Sequence, residues 1–134
     1  MGTITRYDDA GNIHEFYPSG NTTITDVNAQ NNTLTIAQIV GGIVVHTSTG
    51  SPGTVTVDTG VAIIAGSGGK GELKKIGDTM RCFYINDGNQ TLTLAVATGL
   101  TITDTGQTIA ENASAILLFR KTSATTVNMY IIGA

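Results

Sequence analysis

The chain has 134 residues, a formal net charge of −3 and a charged fraction of 13 %, about half the usual share. Its seven Lys and Arg residues are scattered from Arg6 to Lys121, too sparse for the basic stripe that phosphate binding needs, so no nucleic acid is expected as a partner. The single cysteine, Cys82, excludes an intrachain disulfide; no stretch is long and apolar enough for a membrane span, and residues 1–17 have no apolar signal run, so the chain reads as made in the cytoplasm, with no membrane partner.

Residues 3–7 and 12–17 flank Asp8-Asp9-Ala10-Gly11, which predicts a β-hairpin with Gly11 at a positive-φ position. Pro18-Ser19-Gly20-Asn21 ends it. The segment is richer in charge and aromatic rings than the rest of the chain, which sets residues 1–21 apart as an appendage. From Thr22 the pattern becomes Thr-x-Thr alternation, and strands are expected at 22–27 and 33–36 with a turn through Asn28 to Asn32. Residues 37–40, followed by Gly41-Gly42, predict one helical turn stopped by glycine.

Strand returns at 43–47. Thr49-Gly50-Ser51-Pro52-Gly53 is a dense turn signal, and residues 54–57 form the next strand. Asp58 or Thr59 is placed to cap a brief helix over 60–65. Residues 66–77, with five glycines and three lysines, read as the longest loop. Strands are then expected at 79–86, 91–97, 100–103, 107–110, 114–122 and 127–132, with Asp87-Gly88-Asn89 as a hairpin turn. A strand about every ten residues predicts an all-β fold: an antiparallel β-sandwich or jelly-roll-like barrel of roughly ten short strands, with an N-terminal hairpin arm and one or two short helical turns. An echo between residues 54–60 and 101–106, each ending in Asp-Thr-Gly, is the one hint of a repeat.

Several strands are apolar on both sides. In residues 114–119, Ile116 and Leu118 alternate with Leu117 and Phe119; in 127–132, Val127, Met129 and Ile131 alternate with Asn128, Tyr130 and Ile132. A sheet with a second apolar face needs a cover, and another copy of the chain supplies one, which predicts a homo-oligomer.

Residues that carry chemistry do not assemble into a motif. Gly66-Ser67-Gly68-Gly69-Lys70-Gly71 spells a dinucleotide-loop pattern, but it lacks the strand-to-helix context that makes such a loop bind phosphate, so it reads as a surface loop. His14 and His46 lie in separate strands with no second ligand at metal spacing, and no metal is expected. Arg81 neighbours Cys82 in sequence, but alternation sends the two side chains to opposite faces, leaving Cys82 as a small core residue. The carboxylates Asp26, Asp58, Asp78, Asp87, Asp104 and Glu111 mostly occupy turn positions, where Asp bonds its own backbone. No catalytic residue, cofactor or small-molecule substrate is expected, and the chain is read as not an enzyme.

Residues 34–134 resemble a recurrent β-domain of tailed-bacteriophage virions, found in capsid decoration (cement) proteins and small fibre or knob proteins. The resemblance rests on Leu34-Thr-Ile-Ala-Gln-Ile-Val-Gly-Gly-Ile-Val-Val45, Gly53-Thr-Val-Thr-Val57, Ile76-Gly-Asp-Thr-Met80, Tyr84-Ile-Asn-Asp-Gly-Asn-Gln-Thr-Leu-Thr-Leu94, Gly99-Leu-Thr-Ile102, Ile109-Ala-Glu-Asn-Ala-Ser114 and Phe119-Arg-Lys-Thr122. Asp58 stands where the family usually has Pro, and residues 66–75 are longer and richer in glycine.

The resemblance implies a structural virion protein on the capsid surface: a homotrimer that stabilises a phage head by bridging subunits of the major capsid protein. Residues 1–21 would then be the attaching arm, touching capsid through Arg6, Tyr7, Phe16 and Tyr17, and 22–134 the knob. Leu117, Phe119, Tyr130 and Ile132 are the candidates for the contact between copies. The alternative is a tail-fibre or spike knob that binds a host receptor or glycan, against which the absence of Trp and the 5 % aromatic content weigh.

Overall fold

The computed structural model describes residues 4–7, 13–16, 23–66, 73–102 and 107–133. Strands dominate it. β1 (Ile4–Tyr7) and β2 (Ile13–Phe16) pair antiparallel, Ile4 opposite Phe16 and Arg6 opposite His14, as a two-stranded sheet of their own. The expected N-terminal hairpin is therefore present, while its connection at 8–12, including Gly11, lies outside the described residues.

Next come β3 (Thr23–Val27), β4 (Asn32–Leu34), α1 (Ile36–Gly41), β5 (Gly42–His46), β6 (Gly53–Val57), α2 (Gly60–Gly66), β7 (Thr79–Asn86) and β8 (Leu92–Val96). β9 (Leu100–Ile102), β10 (Thr108–Ile109), β11 (Ser114–Lys121) and β12 (Val127–Ile132) complete the order. From β3 through β8 the chain alternates between two further sheets. β3, β5 and β7 stack in parallel in one, β4, β6 and β8 in parallel in the other. Short arches at 28–31, 47–52 and 87–91 cross in one direction, and the segments that carry α1 and α2 cross back.

The sheets are mixed, not wholly antiparallel as expected. One has six strands in the order β3-β5-β7-β11-β12-β9, the other four in the order β10-β8-β6-β4, and neither closes into a barrel. Antiparallel pairing enters where the winding stops: β11 and β12 form a hairpin inserted between β7 and β9, and β10 runs against β8. The strands before the two Asp-Thr-Gly runs are not equivalent, and the second run, Asp104 to Gly106, lies outside the described residues. β6 belongs to the four-stranded sheet and β9 to the six-stranded one.

One core joins the sheets. Leu34, Val55, Val57, Leu92, Leu94 and Ile109 come from the four-stranded sheet; Val44, Cys82, Tyr84, Leu117, Phe119 and Met129 come from the six-stranded one. Fully burying an aliphatic or aromatic side chain contributes about 1.5–3 kcal/mol, so each strand is held chiefly by the residues of one parity.

Both helices form where the sequence predicts them. Thr35 caps α1 by accepting from the Gln38 N–H at 3.3 Å, and Gly42, at φ 100°, ends it by turning its N–H back onto the Gln38 and Ile39 carbonyls. Thr59 caps α2 through the Ala62 N–H at 3.1 Å.

The arch at 87–91 replaces the expected hairpin turn. Gly88 does not have a positive φ; it is buried because the Ser48 backbone passes so close that a Cβ would strike the Ser48 carbonyl. Asn86 fixes this arch. Its buried amide donates to the carbonyls of Gln90 (2.7 Å), Ile109 (3.0 Å) and Ala110 (3.0 Å), and its Oδ1 accepts from the Gly88 N–H at 3.1 Å.

Candidate interaction surface

The parity that does not enter the core decides what each sheet shows outside. On the four-stranded sheet the register aligns Thr54, Thr93 and Thr108 across three strands and places Thr33 beside Thr56, an outer face of threonine hydroxyls and methyls closed by Ala95. Such a face is at home in water, since β-branched side chains suit a pleated surface and carry one polar group each.

The six-stranded sheet differs. Ile24 pairs with Ile43, Ile43 with Phe83, Phe83 with Ile116, and Ile116 with Ile132. Five strands thus contribute one large apolar residue each to a single row. Ile24 is 60 % exposed, Phe83 42 % and Ile132 49 %, while Ile43 and Ile116 are half-buried within the row. Between Phe83, Ile116 and Ile132 the surface dips into a depression of about 210 Å³.

The flanking rows carry charge of opposite sign. Toward one end of the strands the row is followed by Asp26, Val45, Ile85 and Ser114; toward the other by Arg81, Leu118 and Tyr130, with Arg120 one rank further.

The candidates for the contact between copies separate accordingly. Tyr130 and Ile132 lie on this outer face, whereas Leu117 and Phe119 are wholly buried in the protomer's own core. Sequence reasoning missed Ile24, Ile43, Phe83 and Ile116. A signal for the last two was present: Ser114 and Arg120 share the parity of Ile116 and Leu118, and Arg81 shares that of Phe83, so the polar residue of each alternation marks the wet side. Of the arm residues, Arg6, Tyr7 and Phe16 fall in the β1–β2 ladder and Tyr17 lies outside the described residues.

A second buried polar network, apart from that of Asn86, centres on His46. His46, fully buried, donates from Nε2 to the Ala29 carbonyl at 2.8 Å, since a carbonyl can only accept. With the ring neutral, Nδ1 then accepts from the Tyr84 hydroxyl at 2.7 Å, and that oxygen accepts from the Asn32 amide at 3.2 Å. Asn32 also donates to Gln38 at 3.1 Å. The network ties the arch after β3 to β4, α1, β5 and β7. Burial pushes the Tyr84 phenol well above its ordinary pKa, against the smaller opposing pull of the Asn32 amide.

Cys82, as expected, is fully buried, and burial pushes its thiol up to about 12. Asp58 accepts from the Thr59 N–H and Asp78 from the Lys74 and Lys75 N–H groups, the local turn roles expected of them. No group of three His, Cys, Asp or Glu side chains at metal-binding range occurs among the described residues. The dinucleotide-like glycine run begins at the end of α2, after a helix and not before one, and residues 67–72 lie outside the described ones.

A second concavity, open and about 510 Å³, lies where the start of α2 meets the turns before β9 and before β12, lined by Thr59, Val61, Thr98, Gly99, Thr125 and Thr126. Its floor is tight: Gly60 donates to the Thr98 carbonyl at 3.0 Å, and a Cβ on Gly60 would run into the carbonyls of Gly99 and Thr125.

Comparison with family models, with curated proteins and with solved structures finds no match to this chain.

Proposed function

We propose that this chain is a structural virion protein of the tailed-bacteriophage kind: a capsid decoration (cement) protein, not an enzyme, that assembles as a homotrimer and bridges subunits of the major capsid protein on the outer surface of the head. The observation that carries the reading is the apolar row Ile24–Ile43–Phe83–Ile116–Ile132, which water covers unless a protein does.

In this reading residues 22–134 form a sandwich-like knob. Residues 1–21 form the arm, whose ladder is a sheet separate from the other two. Arg6, Tyr7, Phe16 and Tyr17 make its capsid contacts. Three arms on one rigid knob raise the effective concentration of the second and third attachments, so weak single contacts suffice.

The test is co-sedimentation with capsids lacking decoration. The full chain is expected to pellet with the shells, and a chain starting at residue 22 is expected to keep its fold and stay in the supernatant. A truncated chain that decorates as well as the full one rejects the arm assignment.

A second reading, a fibre or spike knob that binds host glycan, is favoured by the open concavity whose rim combines threonine side chains with exposed Val61. Binding on a glycan array that Val61→Asp abolishes would select it over the first.

A further inference from the structure

We propose that the corner of the six-stranded sheet around Phe83 and Arg81 is a docking surface for an extended acidic segment of a partner protein, one that presents an apolar side chain at position i and carboxylates at i+2 and i+4. This does not rest on the capsid reading.

The cations are scattered in the sequence and gathered in space. Of the seven Lys and Arg residues, Lys74, Lys75, Arg81, Arg120 and Lys121 meet where β7 starts and β11 ends. Arg120 lies opposite Thr79 and Leu118 opposite Arg81, so the two guanidiniums belong to diagonal neighbours on the outer face. The turn before β7 folds onto the same place. The Lys121 carbonyl accepts from the Gly77 N–H at 2.8 Å, its N–H donates to the Asp78 carbonyl at 3.0 Å, and its Nζ donates to the Lys74 carbonyl at 3.0 Å. Lys75 and Ile76 stand exposed on that turn. The Asp78 carboxylate is directed at the Lys74 and Lys75 N–H groups of its own turn. Asp26, Asp87 and Glu111 lie at the opposite end of the strands.

Charge selects an anionic partner, and the neighbouring rank selects its shape. Two residues along β7 from Arg81 stands Phe83, which with Ile116 and Ile132 lines the depression of about 210 Å³. At about 3.4 Å per residue, Arg81 is about 7 Å from that depression along the strand, and Arg120, four residues on from Ile116, about 13 Å. An extended segment laid along β7 and β11 has the same rise, and its alternate side chains face the sheet. An apolar residue at i then fills the depression, while carboxylates at i+2 and i+4 reach Arg81 and Arg120, whose planar guanidiniums suit paired donation to a carboxylate. The carboxylates at the far end repel the segment in the reverse orientation.

The size of the surface fits the same occupant. Its three ranks on β7, β11 and β12 measure about 13 by 10 Å, far below the roughly 800 Å² per partner that two folded proteins bury in a stable complex. A short segment needs no more, and its anchor side chain fills a concavity that a lipid surface would leave empty.

The experiment is fluorescence anisotropy: the full chain is titrated into a labelled peptide of about ten residues at about 50 mM salt. The peptide is threonine except for one leucine at i and glutamates at i+2 and i+4, and far-UV circular dichroism controls for folding. Saturable binding is expected, weakened at least about fivefold at about 500 mM salt. Arg81→Glu with Arg120→Glu should weaken it at least about tenfold and should bind the same peptide with lysines in place of the glutamates, a reversal that a merely structural role would not produce. Ile116→Ser, or serine in place of the peptide's leucine, should each weaken binding about tenfold.

Should the doubly reversed variant fail to fold, glutamine in place of the peptide's glutamates puts the same question to the unaltered chain. The proposal is overturned by a glutamate peptide that does not bind, by equal binding of the lysine peptide to the wild type, or by binding indifferent to the charge reversal. Preference of this corner for oligothymidylate or for phosphatidylserine vesicles over the peptide, or its burial by self-association, overturns it too. Peptide binding by a chain that does not join capsids rejects the decoration reading alone, and decoration by a chain that ignores the peptide rejects this one alone.

Discussion

At the scale of single residues, the interior is sensitive where polar atoms have one partner each. Tyr84→Phe keeps the ring and removes the hydroxyl, which leaves His46 Nδ1 without its donor and one Asn32 N–H without its acceptor. Orphaned buried polar groups cost about 1–3 kcal/mol, and urea unfolding should show a loss in that range. Gly88→Ala should cost about as much, about 1–3 kcal/mol, because the Ser48 backbone cannot yield as a side chain would. The pair Cys82 and Tyr84 sets an alkaline limit. Both acids have pKa values raised by burial, so both ionise more readily in the unfolded chain. Their contribution to stability is intact below the ordinary thiol value of 9.0 and is lost as the pH rises from there toward about 12. Stability should fall by up to about 1.4 kcal/mol per pH unit for each group in that window, and Cys82→Ala should flatten the slope above pH 9.

At the scale of elements, helix caps are the most separable contributions. Thr35→Ala removes the acceptor of the Gln38 N–H and should cost about 1 kcal/mol in unfolding free energy. The cap of α2 at Thr59 was legible in the sequence, and so was almost every strand, because alternation and turn residues report local geometry directly; Thr35 was not, since Thr-x-Thr alternation placed it inside a strand. Nor was pairing. Asp87-Gly88-Asn89 has the chemistry of a hairpin turn, yet the chain there steps from one sheet to the other, and only the crowding of Gly88 by Ser48 distinguishes the two outcomes. That crowding comes from a segment forty residues away in the chain. The interaction surface was half legible for a related reason: parity assigns Ile116 and Leu117 to opposite faces, but the identity of the inner face depends on which sheet lies across the core. The arginines, which cannot enter that core, were the available clue.

At the scale of the whole molecule, two outward faces of opposite character are built on one core. The threonine face can stay wet in any assembly, while the isoleucine and phenylalanine row invites cover.

The winding between sheets also leaves one strand dependent on a distant partner. Among the described residues β9 has β12 as its one neighbour in the six-stranded sheet, and the two strands lie about 25 residues apart in the chain, so their pairing closes a long loop. Leu100 to Ile102 pair in that sheet with Val127 to Met129. Refolding should show this as late protection of β9 amides from hydrogen exchange, together with those of β12, well after β5 and β7 have joined.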